Sequence, residues 1–311
     1  MYPPFSHLIS NPLRRSRAVA LACIFAGLIL PAVAEPETAE KHTIEAGFRV
    51  YTAGHSFHFW VAPILADLAE KAGLKQHENA GVSYRGASSV QKIWDMPPGE
   101  KARDALKTGK IDVLTLAPIW MPDEGIEKFA RLGLEHNPEL RITVQEMWLP
   151  NDTYNPVYPL EVKKYVDHNA TNLGELRAHN ERYRRDIEKQ VQDLNQRLGK
   201  KVLYVVPVGE ASIALREKII EGKAPGLKVQ WRLFMDSWGH PTTPLRILAA
   251  YCHFAVIYQR SPVGLPMPDE LVRNNEYANE KLNRLLQELA WEAVANDPFT
   301  GVAPNVIPEK S

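Results

Sequence analysis

The chain has 311 residues, 45% of them apolar, and its 37 basic and 37 acidic side chains leave a formal charge of zero. That composition is ordinary for a folded globular protein. The neutral balance gives no electrostatic drive towards nucleic acid or an anionic membrane surface, so neither is expected as a partner.

Residues 1–34 read as a cleavable export signal. Arg14, Arg15 and Arg17 form a basic start, and Ala18 to Leu30 is an apolar run too short to favour a membrane span. Ala32-Val33-Ala34 is a small-residue cleavage site before Glu35. The alternative is an uncleaved anchor. Cleavage predicts a periplasmic or extracellular protein with a charge of about −3 and no stable membrane anchor. Cys252 is then its one cysteine, which excludes an internal disulfide and a cysteine-bound metal. The core alone must stabilise the fold, as a mature chain of about 275 residues can do.

Residues 35–45 read as a polar linker, and residues 46–265 as one domain of alternating strands and helices. Phe48–Ala53 is a first strand. Phe57, Val61, Leu65, Leu68 and Ala72 fall at helical spacing before a stop at Gly73. Strands follow at Val82–Gly86, Ile111–Leu116, Ile142–Trp148 and Val202–Val208, with a helix over Ile126–Leu134. Asn151 to Ala170 reads as a long loop, and Leu173–Leu198 as a long amphipathic helix. An apolar helix covers Leu245–Tyr258. Residues 266–311 add a helix marked by Leu271, Leu282, Leu286 and Trp291, then an irregular tail, packed on the domain. The alternation predicts an α/β fold with a parallel sheet of about five strands between two layers of helices.

The segment carrying chemistry is Ala53-Gly54-His55-Ser56-Phe57-His58-Phe59, at the first strand-to-helix turn. Such a turn lets Gly54 take backbone angles that other residues avoid, and lifts Ser56 to the carboxyl edge of the sheet. Ser56 is a candidate nucleophile; taken alone, it reads rather as a helix cap. Asp236-Ser237-Trp238-Gly239-His240 offers Asp236 as acid and His240 as base, the partners that a serine hydroxyl needs. His55 and His58 are candidate substrate contacts, or polar groups at a helix start. His253, inside an apolar helix, reads as a core residue. Trp60, Trp94, Trp120, Trp148 and Trp238 would line a sugar-binding surface or pack. No metal-ligand spacing and no phosphate-cradling glycine loop is present, so no metal and no cofactor is expected.

Gly54-His55-Ser56-Phe57 resembles the first block of the SGNH (GDSL-type) hydrolases, normally written Gly-Asp-Ser. Tyr84-Arg85-Gly86-Ala87-Ser88 resembles the second block, and Asp236 to His240 the last. The resemblance runs from about Phe48 to Pro262. It implies a flavodoxin-like three-layer α/β/α sandwich, attack by Ser56, His240 as general base and Asp236 orienting it. It further implies an oxyanion site built from the backbone N–H groups of Ser56 and Gly86. Three departures stand out: His55 replaces the family's Asp, four residues rather than three separate Asp236 from His240, and Ala117-Pro118-Ile119-Trp120 replaces the Gly-x-Asn-Asp block. Asn151 is the candidate for the missing oxyanion donor. The implied function is an exported esterase acting on a small-molecule or carbohydrate ester. The alternatives are an inactive binding protein on the same scaffold, or an O-acyltransferase acting on a glycan.

Overall fold

A computed structural model describes residues 46–97, 99, 102–154 and 165–303. The predicted export signal, the predicted linker, the middle of the predicted 151–170 loop and the end of the tail lie outside them. All described residues belong to one compact unit.

The first half of the chain forms β1 (Arg49–Gly54), α1 (Val61–Lys71), β2 (Glu78–Tyr84), α2 (Val90–Trp94), α3 (Ala102–Lys107), β3 (Val113–Leu116), α4 (Glu124–His136) and β4 (Arg141–Glu146). The second half forms α5 (Leu173–Leu198), β5 (Leu203–Pro207), α6 (Val208–Ile220), α7 (Thr243–Tyr258), α8 (Asp269–Val272) and α9 (Glu280–Ala295). The five strands pair in parallel in the order β2-β1-β3-β4-β5. This is the flavodoxin-like order, which reverses direction at β1 and opens a crevice at the carboxyl ends of β1 and β3. Helices cover both sides of the sheet: α1, α7 and α9 pack together, as do α2, α3 and α4. Burial on both faces explains why every residue of β3 is buried and why its sequence hardly alternates.

Three elements depart from the sequence expectation. The helix after β1 begins at Val61 rather than Phe57, because residues 55–60 first wind through tight turns; the N–H groups of His58 and Val61 bond to the carbonyls of His55 and His58. Strand β2 starts at Glu78, four residues before the predicted Val82. It is an edge strand with half-exposed residues, so its first half lacks an apolar signal. The predicted tail helix divides into α8 and α9, and Asn279 caps α9 by accepting the N–H groups of Lys281 and Leu282. The sequence assigns Val208 to the end of the fifth strand and nothing to 209–220, yet Val208 opens α6, which follows β5 without a connecting loop.

Glu146, the last residue of β4, is fully buried. Its carboxyl accepts Asn180 Nδ2–H at 2.7 Å and the N–H groups of Gly209 and Glu210, at the start of α6, at 3.0 and 3.3 Å. Burial outweighs these donors and pushes the acid from 4.5 up to about 8. The folded chain therefore holds this proton more tightly than the unfolded chain. The resulting stability is present below the unfolded value and is lost as pH rises through about 8. Glu146→Gln is expected to melt like the parent near pH ~4. At pH ~9 it should be more stable by several kcal/mol, each tenfold in proton affinity being about 1.36 kcal/mol. Thermal melts at the two pH values test this.

Candidate active site

β1 ends at Gly54, and the turn after it carries His55 and Ser56 to the carboxyl edge of the sheet, beside the point where the strand order reverses. Gly54 has no positive φ, contrary to the expectation of unusual backbone angles. What it supplies is space: a Cβ there would overlap the His58 ring. Nor does Ser56 cap α1, whose capping position is Trp60 with no side-chain cap bond. The Trp60 indole N–H instead donates to the Ser56 carbonyl at 2.9 Å.

The Ser56 hydroxyl lies 3.0 Å from His240 Nε2, and His240 Nδ1 lies 2.7 Å from Asp236 Oδ2. The second oxygen of Asp236 accepts the backbone N–H groups of Trp238, Gly239 and His240 at 3.0, 3.1 and 3.2 Å. One carboxylate thus builds the turn and also orients the ring. Gly239 takes φ +93°, and the Met235 N–H bonds to the His240 carbonyl at 2.8 Å, which closes the loop on itself. This curl absorbs the four-residue step and aims Asp236, not Ser237, at the imidazole. Burial works against the Asp236 carboxylate, but the bonds from His240 and Gly239 prevail and hold it below its usual range.

Aromatic packing fixes the His240 ring. The edge of the His240 ring meets Phe57 at 5.1 Å, and Phe57 stacks on Trp148 at 4.9 Å. The Trp148 indole N–H reaches the Gly239 carbonyl at 2.8 Å. Ser56 and His240 open into a cavity of about 190 Å³. His55, Trp120 and Trp238 line it, as do Phe57, Ala87, Ile119 and Pro150. The wall is largely apolar, and Ser56 supplies its hydroxyl.

His55 is buried; burial and the neighbouring His240 push it down to about 3, so its ring is neutral. Its Nδ1 accepts the Phe57 N–H at 3.2 Å, which leaves the ring proton on Nε2. His58 is elsewhere: it faces the interior, with Nε2 2.9 Å from the Thr115 hydroxyl, and does not line the cavity. Beyond Thr115 the polar chain runs through His253 to Gln145, and Gln145 donates to the Phe57 carbonyl at 3.2 Å. His253 is thus a bonded core residue.

Trp120 and Trp238 line the cavity. Trp60 and Trp148 are buried beneath it, and Trp94 packs edge-on against Phe129. Of the Tyr84–Ser88 segment, Ala87 at φ +44° reaches the cavity wall, whereas Gly86 is exposed and does not line it. Asn151 is buried beside the lining residue Pro150. Its N–H donates to the Trp238 carbonyl at 3.1 Å, and its side-chain oxygen has no hydrogen-bond partner. The sequence reading missed Phe57, Ala87, Ile119 and Pro150 as wall residues. Apolar side chains of this kind carry no motif and become legible only as neighbours in space.

Among the described residues no three His, Cys, Asp or Glu side chains are grouped to hold a metal ion, and no helix is long and apolar enough to cross a membrane. No family model and no curated protein matches the chain. Among solved structures, one described as the crystal structure of a DUF4886 family protein from Bacteroides uniformis ATCC 8492 is similar at 16% identity and a TM-score of 0.46, over 80% of this chain and 95% of that chain.

Proposed function

We propose that the protein is an exported serine esterase, a divergent relative of the SGNH hydrolases, that cleaves a short acyl ester through an acyl-serine intermediate. The observation that carries the reading is the continuous bonding from Ser56 through His240 to Asp236 at the reversal of the sheet. In the proposed reaction His240 Nε2 takes the Ser56 proton as the hydroxyl oxygen attacks the ester carbonyl, and the imidazolium returns the proton to the departing alcohol. Water, activated by the same ring, then releases the acid. The Ser56 N–H, on the nucleophile itself, is the backbone donor this reading assigns to the oxyanion; Gly86, which lies off the cavity wall, and Asn151, whose N–H is bound to the Trp238 carbonyl, are not assigned that role.

The largely apolar wall fits the acyl part of the substrate, and the half-exposed Trp238 beside Trp120 fits an alcohol part such as a sugar ring. Incubating the protein with a fluorophosphonate is expected to add one phosphonyl group, located by peptide mass spectrometry on Ser56. Labelling at another residue, or at none, removes Ser56 as the nucleophile. Hydrolysis of a generic acetyl ester tests the reaction itself. A glycan acceptor added to that assay separates hydrolysis from acyl transfer, since transfer leaves the acyl group on the glycan.

A further inference from the structure

The acid of the triad is held by its main chain as well as by its turn. The Asp236 carbonyl lies 3.0 Å from Nε2 of His168, a fully buried residue in the loop before α5. We propose that His168 is a positioning residue for Asp236, held in place as a doubly protonated ring by Asp152 and Arg216. The kinetic consequence rests on the esterase reading; the bonding pattern does not.

The protons follow from the partners. A carbonyl oxygen only accepts, so His168 Nε2 carries a hydrogen. His168 Nδ1 lies 2.9 Å from Asp152 Oδ2. Burial opposes the Asp152 charge, but the bonds from His168 and Arg216 prevail and hold the carboxyl well below its usual range. That carboxylate also only accepts, so Nδ1 carries a hydrogen as well.

The Asp152 carboxylate and the aromatic rings beside His168 favour a cation there, whereas the Arg216 guanidinium, which shares that carboxylate, opposes one. Arg216 of α6, 1% exposed, grips both oxygens of Asp152 at 2.6 and 2.9 Å and donates to the His168 carbonyl at 3.1 Å. Gln230 accepts the Arg216 Nε–H at 2.6 Å, and the Thr171 hydroxyl also donates to Asp152. The rings of Phe234 and Trp231 lie 4.1 and 5.0 Å from the His168 ring. Asn169, next in the chain, turns away and accepts the Trp231 N–H at 2.8 Å.

The arrangement acts on one loop. Asn151 and Asp152 both take φ +53°, the left-handed region that asparagine and aspartate tolerate better than other residues with a Cβ. From this turn the Asn151 N–H holds the Trp238 carbonyl, while Asp152 holds the histidine that holds the Asp236 carbonyl. The 236–240 loop is thus pinned at two points to one rigid corner. Buried ion networks add little stability over apolar side chains of the same volume. What this one supplies is a fixed position for the acid relative to His240.

The test uses the full chain, ¹⁵N-labelled at histidine, with His168→Ala and His168→Gln; the glutamine retains an N–H for the Asp236 carbonyl. In the parent both His168 ring nitrogens are expected to read as protonated at the pH of the assay; one unprotonated nitrogen overturns the proposal. In folded His168→Ala the His240 Nδ1–H resonance is expected to move or broaden, with a fall in kcat of about 10–100-fold, KM holding steady. His168→Gln is expected to recover most of that turnover although its melting point is lowered like that of the alanine variant. A His240 resonance and kcat identical to the parent in His168→Ala, or turnover that simply follows melting temperature through both variants, overturns the positioning role. Absence of ester hydrolysis by the parent counts against the esterase reading alone, because the two resonance measurements still decide the role of His168.

Discussion

Ser56→Ala is expected to lower turnover of an acetyl ester by about a million-fold, and Asp236→Asn by about ten-thousand-fold, in proteins that melt like the parent. No other lining residue, among His55, Phe57, Ala87, Ile119, Trp120, Pro150, Trp238 and His240, has a hydroxyl or thiol to take over the attack. The asparagine substitution is the sharper test because it separates the two tasks of Asp236. Its amide oxygen still accepts the three backbone N–H groups that build the 236–240 turn. Its NH₂ group then faces His240 Nδ1 and forces that nitrogen to accept. The ring proton moves to Nε2, where it points at the Ser56 hydroxyl and removes the base. Steady-state kinetics with a calorimetric melt read both effects. If Asp236→Asn keeps turnover within about tenfold of the parent, Asp236 is not the orienting acid.

Gly125→Ala is expected to cost about 3 kcal/mol or more, a fall in melting temperature of about 6–12 °C. Gly125 lies in the first turn of α4, where the start of α2 approaches so closely that a Cβ would overlap the backbone of Val90 and Gln91. The contact is drawn together by one buried carboxylate. Asp123 accepts the N–H groups of Val90 at 2.6 Å, Gln91 at 2.8 Å and Gly125 at 3.0 Å, and so caps two helices at once. Gln190 of α5 clamps the Asp123 backbone from both sides, at 2.9 and 2.7 Å. A methyl group cannot be admitted without parting α2 from α4. Because Ala87 of the cavity wall lies three residues before α2, KM for the ester is expected to rise together with the loss of stability. A melt unchanged within about 2 °C would show that the helix start can shift freely.

Much of the sheet was legible in the sequence. β3 and β5 lie inside apolar, β-branched runs, and β4 overlaps one at Ile142–Val144, because strands covered on both faces bury nearly every side chain. The first half of β2 was hidden because an edge strand buries less, and α6 because it begins at the last residue of a strand run, where the two patterns merge. Ser56, His240 and Asp236 were named by their order and by the resemblance of their blocks. Their bonding was not legible, since Ser56 and His240 are 184 positions apart. His168 carried no signal at all: it lies in an irregular segment, and while its partner Asp152 starts the same loop, Arg216 and Asp236 come from two distant parts of the chain.

By itself the sequence determined the fold class, because hydrophobic periodicity is a local property set by which side chains must leave water. It also determined that a serine follows β1 and that an acid and a base share one loop. Only the tertiary structure decided what those groups do to one another. It showed that the Ser56 hydroxyl faces His240 and caps no helix, that Gly54 supplies space and not an unusual backbone angle, and that His58 points into the core. Hydrogen bonds act over about 3 Å, and which groups come that close is fixed by the packing of helices on the sheet, which no local pattern encodes.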